Sequence, residues 1–241
     1  MRDPADTAVQ TIFFESSEVE IPLNEIARYL GMGHSRPDAR LAGLMEKARD
    51  DFQKAARYTV CYRETPVSVT ETKTDFGVFA AEGKSLAGHL AGCSRALLFA
   101  ATAGIETERQ RKRAFVSSSS LALVLDAVGT AAIESLCDRL CGQWARECSG
   151  WTLRSRFSPG YGDFPLSAQR PLLDSLNARQ TAGIALTDAL LMVPQKSVSA
   201  VIGMEQTSYA AEAQPACPER EHCQACGRRD CAFRLKGDEI K

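Results

Sequence analysis

From about residue 121 to 148 the chain repeats apolar residues at helical spacing, through Leu125, Val128, Ala132, Ile133, Leu136, Leu140 and Trp144. No other segment holds that period for as long, and a stripe of this length must be buried against other elements. The serines at 117–120 stand directly before it and supply hydroxyls suited to capping a helix start. At 241 residues with 44% hydrophobic residues, the chain can build one large core around this helix, with room for an appended module. Asp126 and Glu134 lie eight positions apart on the same helix. That separation is about 12 Å along the axis and roughly 80° in direction, so the two acids cannot act as a close carboxylate pair.

Around the long helix, short β-type runs alternate with helical ones. Residues 11–14 and 19–21 read as strands, and Pro22 opens a helix at 23–30 with Leu23, Ile26, Ala27 and Leu30 on one face, closed by Gly31. A second helix spans about 37–56 through Leu41, Leu44, Met45, Ala48, Phe52 and Ala55. Strands are expected at 59–63, 67–70, 77–79 and 95–100, and a helical turn at 86–89. Further on, 171–180 and 185–190 read as helices, and 191–203 as a β-hairpin with Pro194 and Lys196 at the bend. Paired strands between helices, without regular β-α-β alternation, predict an α+β fold: an antiparallel sheet with flanking helices.

Charge narrows the partners. With 29 Lys and Arg against 30 Asp and Glu, the net charge of −1 argues against affinity gained from nucleic-acid phosphates. The one dense basic run, 109–113, follows Glu106 and Glu108 and reads as a solvated helix face. As contiguous apolar sequence, 96–101 falls far short of the ~18 to 20 residues that cross a bilayer, and residues 1–6 resemble neither a secretory signal nor a transit peptide. A cytoplasmic protein with no membrane and no nucleic-acid partner is expected.

Five of the nine cysteines, Cys61, Cys93, Cys137, Cys141 and Cys148, stand in apolar context and read as small core residues. The other four, Cys217, Cys223, Cys226 and Cys231, follow the spacing C-x(5)-C-x(2)-C-x(4)-C near the C-terminal end. Four thiolates so close suit a tetrahedral zinc or a 4Fe–4S cluster, and His222 offers a substitute for Cys217. A main domain at 1–210 and a Cys-rich metal-binding tail at 211–241 are therefore expected.

The most informative loop runs from 151 to 165. Arg154 and Arg156 are two residues apart, and Pro159, Gly160, Tyr161 and Gly162 turn the chain; an arginine fork pairs with a carboxylate, and glycines let backbone approach a ligand. The run Arg156-Phe157-Ser158-Pro159-Gly160-Tyr161, followed by Leu186-Thr187-Asp188 and then Ser197-Val198-Ser199, resembles the activation domain of cobalamin-dependent methionine synthase. There an Arg-x-x-Pro-Gly-Tyr loop, a Leu-Thr-Glu/Asp segment and a Ser-Val-Ser segment occur in this order. The resemblance is specific over about 121–203, fainter over 23–104, and does not reach the tail.

The resemblance implies a C-shaped α+β domain that presents S-adenosylmethionine to a corrinoid held elsewhere, so that an oxidised cobalamin is reduced and remethylated. It implies that Arg156 pairs with the ligand's carboxylate, that Gly160 and the backbone near Ser158 admit the ligand, and that Tyr161 packs on it or faces the corrinoid. Glu134 would take the ligand's ammonium, with Asp126 as a second candidate. No segment for binding a corrinoid, homocysteine or folate is evident, so the cobalamin would be reached only through a partner: a corrinoid methyltransferase or the other chains of a split methionine synthase. Flavodoxin or ferredoxin would deliver the electron, or an iron–sulfur cluster in the tail would relay it. Nothing in the chain supplies a catalytic nucleophile or a paired general acid and base. One departure stands at the loop: the family continues after the tyrosine with proline, small residues and cysteine, and this chain has Gly162-Asp163-Phe164-Pro165. That departure motivates the alternative of a docking or electron-transfer accessory protein that no longer binds S-adenosylmethionine.

Overall fold

A computed structural model describes residues 8–33 and 35–207. Five antiparallel strands form the main sheet in the order β1-β2-β6-β10-β7. At its centre β6 (Arg95–Thr102) pairs with β2 (Tyr58–Pro66), from Thr59 opposite Thr102 to Pro66 opposite Arg95. On its other side it pairs with β10 (Ser197–Gln206), from Ser197 opposite Thr102 to Met204 opposite Arg95. Strand β1 (Gln10–Phe14) closes one edge against β2, and β7 (Trp151–Leu153) the other against β10.

Side chains alternate across this sheet, and both faces are covered. Tyr58, Val60, Tyr62, Leu97, Phe99, Ala101, Ala200 and Ile202 belong to one core, with α1 (Leu23–Tyr29), α2 (Ala39–Ala55) and α5 (Ser119–Glu147) packed on it. Cys61, Ala96, Leu98, Ala100 and Val201 belong to the second core, under α3 (Lys84–His89), α6 (Gln169–Ser175) and α7 (Ala178–Thr181). Double coverage explains why β6 reads as a continuous apolar run rather than an alternating one.

The long helix forms as its period predicts. Ser118 caps it, accepting a hydrogen bond from the Leu121 amide at 3.3 Å. α4 (Ile105–Ser117) carries the basic run and packs against α5. Arg109 and Arg113 pair with Glu106 on the surface, the solvated face expected of that run, whereas exposed Lys112 pairs with buried Glu108 and Arg111 turns inward to Asp126 and Gln195. Among the described helices, α5 alone has the length and mean hydropathy of a bilayer span, although no such run appears as contiguous apolar sequence. Most of that window is buried within the fold, as in a core helix.

Five local expectations are corrected. Residues 19–21 are not a strand: Val19 and Ile21 are buried between a 3-10 turn (Ser16–Glu18) and α1, where Pro22 already commits the chain to the helix. Residues 77–79 are the turn between β4 (Lys73–Asp75) and β5 (Ala80–Glu82), which with β3 (Ser68–Val69) make a small antiparallel sheet. Gly77 takes a φ of 75° there, and the Asp75 carboxylate accepts its amide hydrogen at 2.8 Å. The helix expected at 185–190 is a hairpin instead, β8 (Ala185–Leu186) pairing with β9 (Met192–Val193). Thr187 closes its turn, its hydroxyl accepting from the Leu191 amide, and Leu190 sits at a φ of 59°. The expected hairpin at 191–203 is accordingly split, because β9 pairs back to β8 and β10 enters the main sheet. The helix expected at 171–180 is likewise interrupted, by Asn177 at a φ of 51° between α6 and α7.

Candidate functional site

The loop that carries Arg156 begins as sheet. Beyond β7 the chain stays beside β10: the Arg154 amide donates to the Gly203 carbonyl at 2.8 Å, and Phe157 exchanges two 2.9 Å bonds with Val201. In extended backbone neighbouring side chains point to opposite faces. Phe157 packs on the second core, and Arg156 turns to the other face, against α5.

There the Arg156 guanidinium meets Asp138 at 2.8 Å and Glu134 at 3.3 Å. Its side chain is 11% exposed, and those of the acids are 39% and 58% exposed. Glu134, Cys137, Asp138 and Cys141 share one helical face, at i, i+3, i+4 and i+7, and all four act on Arg156. Burial works against the guanidinium's charge, but Cys137, Cys141, Glu134 and Asp138 outweigh it and hold its pKa above the ordinary value. Burial pushes the Cys137 thiol up to about 12, so at neutral pH it stays a neutral neighbour. Across on α1, burial raises the pKa of Tyr29, and the nearby Glu134 charge adds to the shift.

After Arg156 the loop closes on itself. The Gly160 amide donates to the Phe164 carbonyl at 2.8 Å, Tyr161 to Ser158 at 3.1 Å, and Phe164 to Tyr161 at 2.9 Å. Gly160 has a φ of 95°, a conformation that favours glycine. Tyr161 is 68% exposed, its ring 6.4 Å from that of Phe157. The departure after Tyr161 has a structural partner: the Asp163 carboxylate accepts the amide hydrogens of Lys84 and Ser85 at the start of α3, at 2.7 and 2.9 Å. Its desolvation is outweighed by these bonds, which hold its pKa below the ordinary carboxylate value.

Of the residues singled out in the sequence, Arg156 and Glu134 come together, with Ser158, Gly160 and Tyr161 following on the same loop. Asp126 stands apart. It pairs with Lys196 at 3.1 Å and Arg111 at 3.7 Å, where the segment before β10 crosses α5, and Lys196 also bonds the Thr130 hydroxyl at 2.9 Å. Asp138 and Tyr29 were not foreseen. Asp138 lies one helical turn beyond Glu134, a spacing that could have flagged it; Tyr29 reaches Glu134 only through the packing of α1 on α5.

The cluster is made to hold charges. One guanidinium beside two half-exposed carboxylates is complementary to a zwitterionic amino-acid head, the guanidinium taking the carboxylate and the acids the ammonium. A cleft of about 290 Å³ between α6, α7 and β8, lined by Arg170, Asn177, Arg179, Ile184 and Leu186, shares no residue with this site. Among the described residues no three His, Cys, Asp or Glu side chains are grouped to hold a metal ion. Cys217, His222, Cys223, Cys226 and Cys231 lie outside the described residues.

Residues 153–213, which begin at the end of β7 and include the whole loop, match the family model described as vitamin B12 dependent methionine synthase, activation domain. A search of curated proteins finds no match. Among solved structures, the MetH reactivation domain bound to AdoHcy is similar in fold, with a TM-score of 0.59 at 14% identity, covering 87% of this chain and 82% of that one. The chain therefore resembles the cobalamin-dependent methionine synthase activation domain twice over, by its sequence across residues 153–213 and by its fold across most of its length.

Proposed function

We propose that this protein binds S-adenosylmethionine at the Arg156 loop and acts in the cytoplasm as the activation component of a cobalamin-dependent methionine synthase, or of a related corrinoid methyltransferase, carried on a separate chain. The observation that carries the proposal is the coincidence of the family match with the charged site: the matched segment holds Arg156, Ser158, Gly160 and Tyr161, and Arg156 sits against Glu134. The AdoHcy in the structure of similar fold is the demethylated product of the proposed ligand.

In this reading Arg156 takes the ligand's carboxylate, sharing it with or releasing it from Asp138, and Glu134 takes the ammonium. Gly160 and the Ser158 backbone admit the ligand. Exposed Tyr161 lies on it or faces the partner, and Asp126 serves the α5 crossing rather than the ligand. S-adenosylmethionine supplies the methyl group and leaves as S-adenosylhomocysteine; the electron comes from a flavodoxin or ferredoxin, or through the tail. Residues 1–210 form the ligand-binding domain, and Cys217, Cys223, Cys226 and Cys231 in 211–241 hold a zinc or a 4Fe–4S cluster.

One observation favours a second reading, an accessory protein that docks or passes electrons without the ligand: Arg156 is largely buried and already paired with two acids. The deciding experiment is reconstitution. The chain is mixed with a purified corrinoid methyltransferase, a one-electron donor and S-adenosylmethionine, and corrinoid methylation is followed by absorbance. Methylation is expected only with every component present. Methyl transfer by the chain alone contradicts the proposal, and iron and zinc analysis of the anaerobic protein tests the tail.

A further inference from the structure

The loop is fastened to α3 at both ends of that helix. At the C-terminal end, His89 Nε2 lies 2.8 Å from the Ser155 carbonyl oxygen. A carbonyl only accepts, so Nε2 carries the hydrogen and donates it. The His89 ring also lies 4.9 Å from the Phe157 ring, at 31°. Ser155 and Phe157 flank Arg156, so this one imidazole holds the chain on either side of the arginine, by the backbone at Ser155 and by the side chain at Phe157. At the N-terminal end Gly83 offers no side-chain cap, and Asp163 supplies one from across the loop through the Lys84 and Ser85 amides. Contact there is close: a Cβ on Gly83 would stand 2.8 Å from Asp163 Oδ1, and one on Gly162 would stand 3.0 Å from Ser85 Cβ and Oγ. Between the two grips, Leu86 and the following Leu90 are fully buried in the second core, so α3 is a rigid base.

We propose that α3 is a two-ended clamp that sets the position of the Arg156 loop, with His89 and Asp163 as positioning residues for ligand binding. The proposal rests on the ligand site argued above. His89 holds the loop through the Ser155 carbonyl and the Phe157 ring, and Asp163 ties the loop to the α3 amides, as supporting residues do when they preorganise a site. His89 is half-buried and Asp163 exposed, so both can be replaced without opening a core.

The test uses the full chain with His89→Ala, His89→Gln and Asp163→Ala, and reads two quantities. The first is amide hydrogen exchange in the free protein. The alanine variants should speed exchange at Gly160, Tyr161 and Phe164 about 10-fold or more, leaving Arg154 and Phe157, which are bonded to β10, at the wild-type rate. The second is S-adenosylmethionine affinity by calorimetry, which should fall about 5- to 20-fold in each alanine variant. His89→Gln keeps a donor near the Nε2 position and should restore most of the loss. Unchanged loop exchange overturns the clamp, as does faster exchange with wild-type affinity. If the wild-type chain binds no S-adenosylmethionine, the ligand proposal falls and the exchange rates alone decide the clamp.

Discussion

Glu108 is nearly buried on α4, with its charge fully engaged. One carboxylate oxygen accepts from the Gln195 amide at 3.0 Å, and the other meets Lys112. Burial alone would raise its pKa. The Lys112 hydrogen bond, the Gln195 amide and the charges of Lys112 and Arg111 outweigh that and set it below the ordinary 4.5. A depressed folded-state pKa means that the stabilisation is complete above about 4.5 and is lost as pH falls through the folded value. Glu108→Gln should therefore cost about 1 to 3 kcal/mol at pH 7, the scale of a buried charge-assisted bond, and lose less stability than wild type between pH 5 and pH 3. Urea melts at the two pH values check this, and parallel acid limbs would contradict it. At the same scale Arg156 was legible through the resemblance of its Arg-x-x-Pro-Gly-Tyr loop to the activation domain, since the residues alone also suit a structural turn. Asp138 was signalled only by standing one helical turn beyond Glu134, and His89 carried no signal, since its role comes from which backbone the fold sets beside it.

Helix α5 is the element most fully legible, since one period runs through its buried positions and Ser118 marks its start. Gly129 within it is not explained by period. A Cβ on Gly129 would lie 2.9 Å from Lys196 Cγ and 3.1 Å from Phe52 Cε2, so this glycine lets Lys196 cross the helix to reach Asp126 and Thr130. Alanine there would gain about 1 kcal/mol in helix propensity. Overpacking against Phe52, which is rigidly buried, costs about 1 to 3 kcal/mol. Overpacking should win, leaving Gly129→Ala less stable by about 1 kcal/mol in denaturant unfolding; a more stable variant would show that Lys196 simply swings aside. The shorter elements were less legible for a physical reason. Residues 77–79 and 185–190 look apolar enough for a strand and a helix, but Gly77 and Leu190 at positive φ turn the chain, and a propensity argument does not see a turn that is closed by an Asp or Thr side chain.

At the scale of the whole molecule, an antiparallel sheet covered on both faces was legible as a class, and its strand order was not, because β10 pairs with β6 across a long separation in sequence. That order is what matters for the site. It sets β7 at the edge, so the chain leaving it runs along β10, turns Arg156 toward the acids of α5 and leaves Tyr161 outside. The account stands on this geometry binding S-adenosylmethionine. Calorimetry of the full chain with S-adenosylmethionine, beside Arg156→Ala of matched melting behaviour, tests it most directly. Saturable binding is predicted for the wild type, weakened by about 1.5 to 3 kcal/mol in the variant, as for loss of a charge-assisted contact. No detectable binding by the wild type at millimolar ligand would contradict the account and leave the accessory reading in its place.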